Sequence, residues 1–321
     1  MKRVAAFLFV LALVGLIAPA ASADSAGRHP GSLLIYPIFD SGPEAGTIVS
    51  VANVSQDISI DAHFIYIDAD DNWREFNRFE ELTPRDEFTI RASTHVAGAK
   101  RGFLYVIAET FDADRRDPDS LNYLIGDEIV VDSIGNFLYA LDAIPFCAKA
   151  PFNSNFDDVL DFDNEEYFKV SDKMYVSSFL GNTDGDGADL TTTLIFVALV
   201  GSSDYETRLD LLPYNNNEDE FSASWNFRCW DAVSLLTIDG FFLDSFLKGL
   251  PTYDNRDIGI PWTSGWIEID GDEAVDVVGN EPKVEDPPFV GAVVQALGSY
   301  ATGHLMHESA EDNPTNGKLD I

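Results

Sequence analysis

Phe221-Ser-Ala-Ser-Trp225-Asn-Phe227-Arg-Cys229 alternates without a break. Phe221, Ala223, Trp225, Phe227 and Cys229 fall on one side, and Ser222, Ser224, Asn226 and Arg228 on the other. Successive side chains of a strand point to opposite faces, so this period of two predicts a half-buried β-strand. The same texture recurs along the chain, at 32–38, 46–53, 59–68, 87–92, 102–109, 173–180, 190–199, 207–212 and 266–270. Between these runs lie Asp, Asn, Gly and Pro, the punctuation of antiparallel sheets. Helical signal is confined to 241–250 (FFLDSFLKGL), where Phe242, Phe246 and Leu250 share a face ahead of Pro251.

A boundary is expected between residues 143 and 166, where Pro145, Cys147 and Pro151 precede the acidic stretch Asp157, Asp158, Asp161, Asp163, Glu165 and Glu166. The expected fold is all-β: two antiparallel β-sandwich domains, 24–150 and 151–308, one or two short helices, and a flexible tail over 309–321.

Within the first half, TIVSVANVSQDISIDAHFIYID (47–68) resembles a strand–turn–strand pair of bacterial secreted immunoglobulin-like β-sandwich modules, with Thr47, Val51, Asn53, Tyr66 and Asp68 at the matching positions. The resemblance covers about 22 residues, implies an architecture and implies no activity. The Cys…Trp…Cys spacing of antibody-type domains is absent, because the two cysteines straddle the expected boundary.

The N-terminus is read as a cleavable signal peptide. Lys2 and Arg3 precede an apolar run over 4–17, and Ala21-Ser22-Ala23 supplies small residues for cleavage before Asp24. The run falls short of the roughly 20 residues a spanning helix needs, and no later stretch reaches that length. The expected location is outside the cytoplasm: extracellular, periplasmic or at the cell surface. Two cysteines, Cys147 and Cys229, form an even pair in an oxidising compartment and are expected to bond as one disulfide.

Charge is the most unusual feature. The chain carries a formal −35, with 37 Asp and 18 Glu against 8 Lys and 12 Arg. Such a field repels nucleic acid and anionic membranes and favours cations or basic partners. A high-salt habitat and specific calcium sites both account for it.

The best metal motif is Asn182-Thr-Asp184-Gly-Asp186-Gly-Ala-Asp189. Hard Ca²⁺ takes six to eight oxygens, and oxygen ligands at alternate positions around glycines match the front half of a calcium loop. The twelfth position is Thr193 instead of Glu, so the rear half departs from that pattern; Asn182, Asp184, Asp186 and Asp189 are the expected Ca²⁺ ligands, against an Asp/Gly-rich turn as the bland reading. Asp68/Asp70/Asn72 and Asp270/Asp272/Asp276 repeat the alternation more weakly, and solvated surface accounts for both. His304 and His307 stand three apart, which suits a metal only on a helix; a strand sends them to opposite faces. Trp225 is expected in the core. Trp262 and Trp266, with Tyr253, are candidates for a sugar platform or for hydrophobic caps.

No nucleophile elbow, phosphate loop or H-E-x-x-H motif occurs. The expected function is a non-catalytic secreted binding or structural role, with a protein or polysaccharide partner. The rival is an extracellular carbohydrate-binding protein or hydrolase using Asp/Glu and Trp. A concave cleft holding two carboxylates beside an aromatic wall would favour the rival.

Overall fold

The computed structural model describes residues 29–320 apart from 43–44, 113–114, 119, 133–136, 151–158, 184–189, 202, 217, 250–261, 280 and 310–313. The signal-peptide reading, Tyr253 and the three aspartates of the calcium loop lie outside these residues.

The first half runs β1 (Leu33–Asp40), β2 (Ala45–Asn53), β3 (Ile60–Asp68), β4 (Arg74–Leu82), β5 (Glu87–Arg91), β6 (Arg101–Asp112), β7 (Arg115–Pro118), β8 (Leu124–Asp132), β9 (Phe137–Asp142) and β10 (Ile144–Phe146). The second runs β11 (Val159–Phe162), β12 (Lys173–Leu180), β13 (Leu190–Ala198), β14 (Val200–Gly201), β15 (Tyr205–Asn215), β16 (Ala223–Arg228), β17 (Trp230–Ser234), β18 (Ser264–Asp276), β19 (Val284–Glu285), β20 (Phe289–Leu297), β21 (Tyr300–Leu305), β22 (His307–Glu308) and β23 (Gly317–Asp320). Among the described residues helix is limited to α1 (Ala92–His95), α2 (Leu235–Ile238), α3 (Asp244–Gly249) and single 3-10 turns.

These strands form five sheets. Sheet I has the order β10-β1-β6-β3-β4, with β7 beside β6; sheet II is β5-β2-β8-β9; sheet III is β11-β23-β14. Sheet IV is β16-β15-β18-β12-β22, with β19 beside β18; sheet V is β17-β13-β20-β21. Sheets I and II share a core of Leu34, Tyr36, Val49, Val51, Phe64 and Val106. Sheet I meets III where the Phe146 and Phe162 rings pack edge-on at 5.0 Å and the Tyr105 hydroxyl donates to the Asp320 carbonyl. Lys318 of sheet III lies near Tyr205 of IV. Phe227 of IV packs on Phe196 of V at 5.6 Å. Gly303 of V abuts Leu141 of II, closing the cycle.

The expected pair of immunoglobulin-like sandwiches is therefore corrected: five small sheets stand in a ring, as blades of a five-bladed propeller do. The blades are unequal, and sheet I interleaves strands distant in sequence in place of a simple meander. One hydrophobic cluster runs from Leu33 and Phe103 through Phe196 to Leu319. Two independent sandwiches would each close their own core; here β1 is buried over Leu33–Phe39 because each of its faces meets a different sheet.

A bulge between Tyr36 and Phe39 interrupts the β1–β6 ladder. It frees the Pro37 carbonyl to accept from Trp230 Nε1 at 2.6 Å, and turns the Ile38 amide toward the Glu128 carboxyl. One irregularity thus ties sheets I, II and V together.

The expected disulfide is absent. Cys147, after β10, directs its Sγ to His29 Nδ1 at 3.4 Å and to the Pro30 carbonyl at 3.5 Å. Cys229 occupies a left-handed position (φ 55°) between β16 and β17, where burial first and the Asp320 carboxylate second push its thiol up to about 12. The tail expected to be loose carries β23, which pairs antiparallel with β11 and parallel with β14.

Candidate functional site

An open groove of about 1010 Å³ lies over the outer face of sheet II. Period-two geometry builds its floor. Val49, Val51, Leu124, Glu128 and Val130 point inward, so Ser50, Ala52, Ile125, Asp127 and Ile129 point out. Register sets these outward residues in cross-strand rows. Thr89, Ser50, Asp127 and Asp142 form the middle row; Arg91, Ile48, Ile129 and Ala140 lie in the row on one side, Glu87, Ala52 and Ile125 in the row on the other. Directly opposed residues have Cβ atoms roughly 4.5–5.5 Å apart, so Asp127 and Asp142 are close neighbours.

Burial, then the charges of Asp142 and Glu87, raise the Asp127 carboxyl above its ordinary range. Ser50 and Thr89 share a hydroxyl hydrogen bond of 3.0 Å, and Thr89 donates to Glu87. Gly126 has a packing reason to be glycine. A Cβ there would lie 2.0 Å from the Tyr36 hydroxyl, which passes beneath it to donate to the Ser50 carbonyl at 2.8 Å.

His29, Leu34 and Pro145 add to the groove lining, as does the segment Gly303–His307, carried over from sheet V. Gly303 allows that approach, since a Cβ would meet Leu141 Cδ2 at 2.6 Å and the Ala140 carbonyl at 3.0 Å. His304 Nε2 is buried without a hydrogen-bond partner, and burial, then His307, lower the pKa of its ring. His304 and His307 therefore do meet one cavity, although β21 and β22 are strands. Among the described residues no three His, Cys, Asp or Glu side chains converge as a metal ion would require.

The other candidates serve local structure. Asn182 is buried, and its Oδ1 accepts from the Thr192 amide at 3.2 Å. Asp68 accepts from the Asp70 and Lys100 amides, both at 2.9 Å. Asp270 and Asp272 lie within β18, paired with Lys173 at 3.1 Å and Arg208 at 3.5 Å. Asp276 accepts from the Val278 and Glu281 amides, both at 2.7 Å. Trp225 Nε1 donates to Asp231 at 2.9 Å. Trp266 is exposed on sheet IV, stacked on Tyr214 at 4.4 Å with Tyr175 6.2 Å away.

Sequence reasoning missed Glu87, Asp127, Asp142 and His29. The available signal was 124–131 (LIGDEIVV), where Ile125, Ile129 and Val131 stand on the parity opposite Leu124 and Val130. Such a strand carries apolar side chains on its outer face, where Ile125 and Val131 are exposed.

No family model and no curated protein matches the chain. Among solved structures it is similar to a calcium-binding mutant of Bacteroides uniformis beta-glucuronidase 2, at 8% identity and TM-score 0.17, covering 88% of this chain and 28% of that one. A Bacteroides uniformis beta-glucuronidase aligns at 8% identity and TM-score 0.15, covering 86% and 26%. The chain thus spans less than a third of either enzyme, and likeness at this level carries no argument.

Proposed function

We propose that this is an exported binding protein whose groove on sheet II takes a protonated amine on an aliphatic stem, either a small alkylamine or a lysine side chain of a partner. One observation carries the reading. Asp127 and Asp142 face each other, flanked by Ile125, Ile129 and Ala140, and among the described residues no Lys or Arg lines the groove, Arg91 standing at the far end of its row. Ile125, Ile129, Ala52 and Ala140 cover the methylenes, while the ammonium sits at the carboxylate pair. A cation there also relieves the repulsion from Asp142 and Glu87 that adds to burial in raising the Asp127 carboxyl. The chain's formal −35 draws such ligands in and repels nucleic acid. The carbohydrate reading calls for an aromatic wall beside the carboxylates; the Trp266–Tyr214 stack, with Tyr175 beside it, stands instead on sheet IV.

Calorimetric titration with hexylamine, and with hexanol as the neutral control, tests the site. Hexylamine should bind, and more weakly as salt rises; Asp127→Asn with Asp142→Asn should weaken it at least tenfold, about 1.4 kcal/mol. Equal binding of hexanol, or an unaffected double variant, refutes the amine reading. Export is checked separately: the natively produced protein should begin at or within a few residues of Asp24, and an intact Met1 on mature material refutes cleavage.

A further inference from the structure

We infer that Cys147 is a thiol–disulfide exchange site beside the groove, with His29 as its base and a small neutral or cationic disulfide as its co-reactant. The inference stands independently of the amine reading. Three observations support it. Cys147 is not consumed by a disulfide with Cys229, in a chain whose N-terminus reads as an export signal. Its sulfur lies 3.4 Å from His29 Nδ1, within reach for proton transfer, and a thiol paired with an imidazole is the usual way to generate the reactive thiolate. His29 itself lines the groove, so the pair lies beside open space.

The step balances as an exchange. His29 takes the Cys147 proton, and the thiolate attacks one sulfur of the incoming disulfide. That S–S bond breaks, a mixed disulfide forms on Cys147, and the departing thiolate carries away the electron pair. No net oxidant is needed beyond the disulfide. The acidic surface selects among disulfides: cations such as cystamine are attracted and anionic aromatic disulfides repelled. Cys229 supplies an internal control, being held in the protonated form by burial and by Asp320.

The test is the rate of reaction of the folded protein with cystamine and with dithiodipyridine, the modified cysteine being identified by peptide mass. One thiol should react fast and be abolished by Cys147→Ser, while Cys229 reacts only after unfolding. His29→Gln should slow the reaction roughly tenfold or more, and free imidazole added to that variant should restore part of the rate, which a merely structural histidine would not allow. Protection of Cys229 in the variant reports that it remains folded. If Cys229 is labelled first, or the His29→Gln rate equals that of the wild type, the pair is not an exchange site. Failure of imidazole to restore a slowed rate refutes His29 as the base.

Discussion

Glu128 shows how far a single side chain departs from what its neighbours in sequence suggest. It stands one residue from the groove-lining Asp127, yet its side chain is fully buried between sheets I and II. No hydrogen bond satisfies either carboxyl oxygen; the Ile38 amide of the bulge lies close enough to favour the charged form and is outweighed. Desolvation therefore holds the group protonated well above the ordinary carboxylate range. The folded chain then binds a proton that the unfolded chain releases. Stability from this site is complete below about pH 4.5 and declines as pH rises from there toward the folded-state value. Every other carboxylate also ionises over that range, so the difference between two proteins is the readout. Melts across pH 4–8 at fixed salt should show Glu128→Gln gaining on the wild type as pH rises. Parallel curves would mean that Glu128 is ionised in the folded state. Nothing in LIGDEIVVD marks which of its acids turns inward, because register against β2 decides it and register is a long-range property.

Strands announce themselves better than their partners do. The alternation at 221–229 is realised: Phe227 is buried, Phe221, Ala223, Trp225 and Cys229 are half-buried against the core, and Ser222, Ser224 and Asn226 are exposed. The helical reading of 241–250 fails in detail. An extended residue, Leu243, separates a 3-10 turn from α3, so Phe242 and Leu247 are buried while Phe246 is exposed, and the expected Phe242/Phe246 face does not exist. The junction of β9 with β21 has no local signature, since it depends on a glycine 162 positions from Leu141 in sequence. Gly303→Ala tests it. The added methyl meets a side chain and a carbonyl that cannot both retreat, and overpacking of this kind costs about 1–3 kcal/mol. Gly240→Ala meets nothing within 4 Å and should leave stability within about 0.5 kcal/mol. Denaturant midpoints of the two variants give the comparison; equal shifts would remove the close approach. Because Gly303 lines the groove, its variant should also weaken hexylamine binding.

The five-sheet ring was beyond reach of the sequence because distant segments complete its blades: β23 joins β11 across more than 150 residues, and Trp230 reaches Pro37 across 193. The acidity was legible, but its arrangement was not. On and beside sheet IV three cations are each shared by two acids: Lys173 by Glu268 and Asp270, Arg208 by Asp210 and Asp272, Lys283 by Glu273 and Glu285. Isolated surface pairs contribute about 0–1 kcal/mol and weaken with salt, so ion pairs alone predict a melting temperature that falls as salt is added. Self-repulsion among 55 acids against 20 Lys and Arg predicts the opposite. The excess of unneutralised carboxylates makes repulsion the larger effect, so the melting temperature should rise with sodium chloride from low ionic strength and level off once the Debye length, ~10 Å at 0.1 M, drops below the spacing between neighbouring charges. Sucrose raised in place of salt separates screening from general exclusion effects. Lys173→Ala sharpens the comparison. Removing it leaves Glu268 and Asp270 facing each other, so its cost should be largest at low salt and shrink as salt rises. A melting temperature that falls with salt, or a Lys173→Ala cost independent of it, would show that the shared cations already balance the surface.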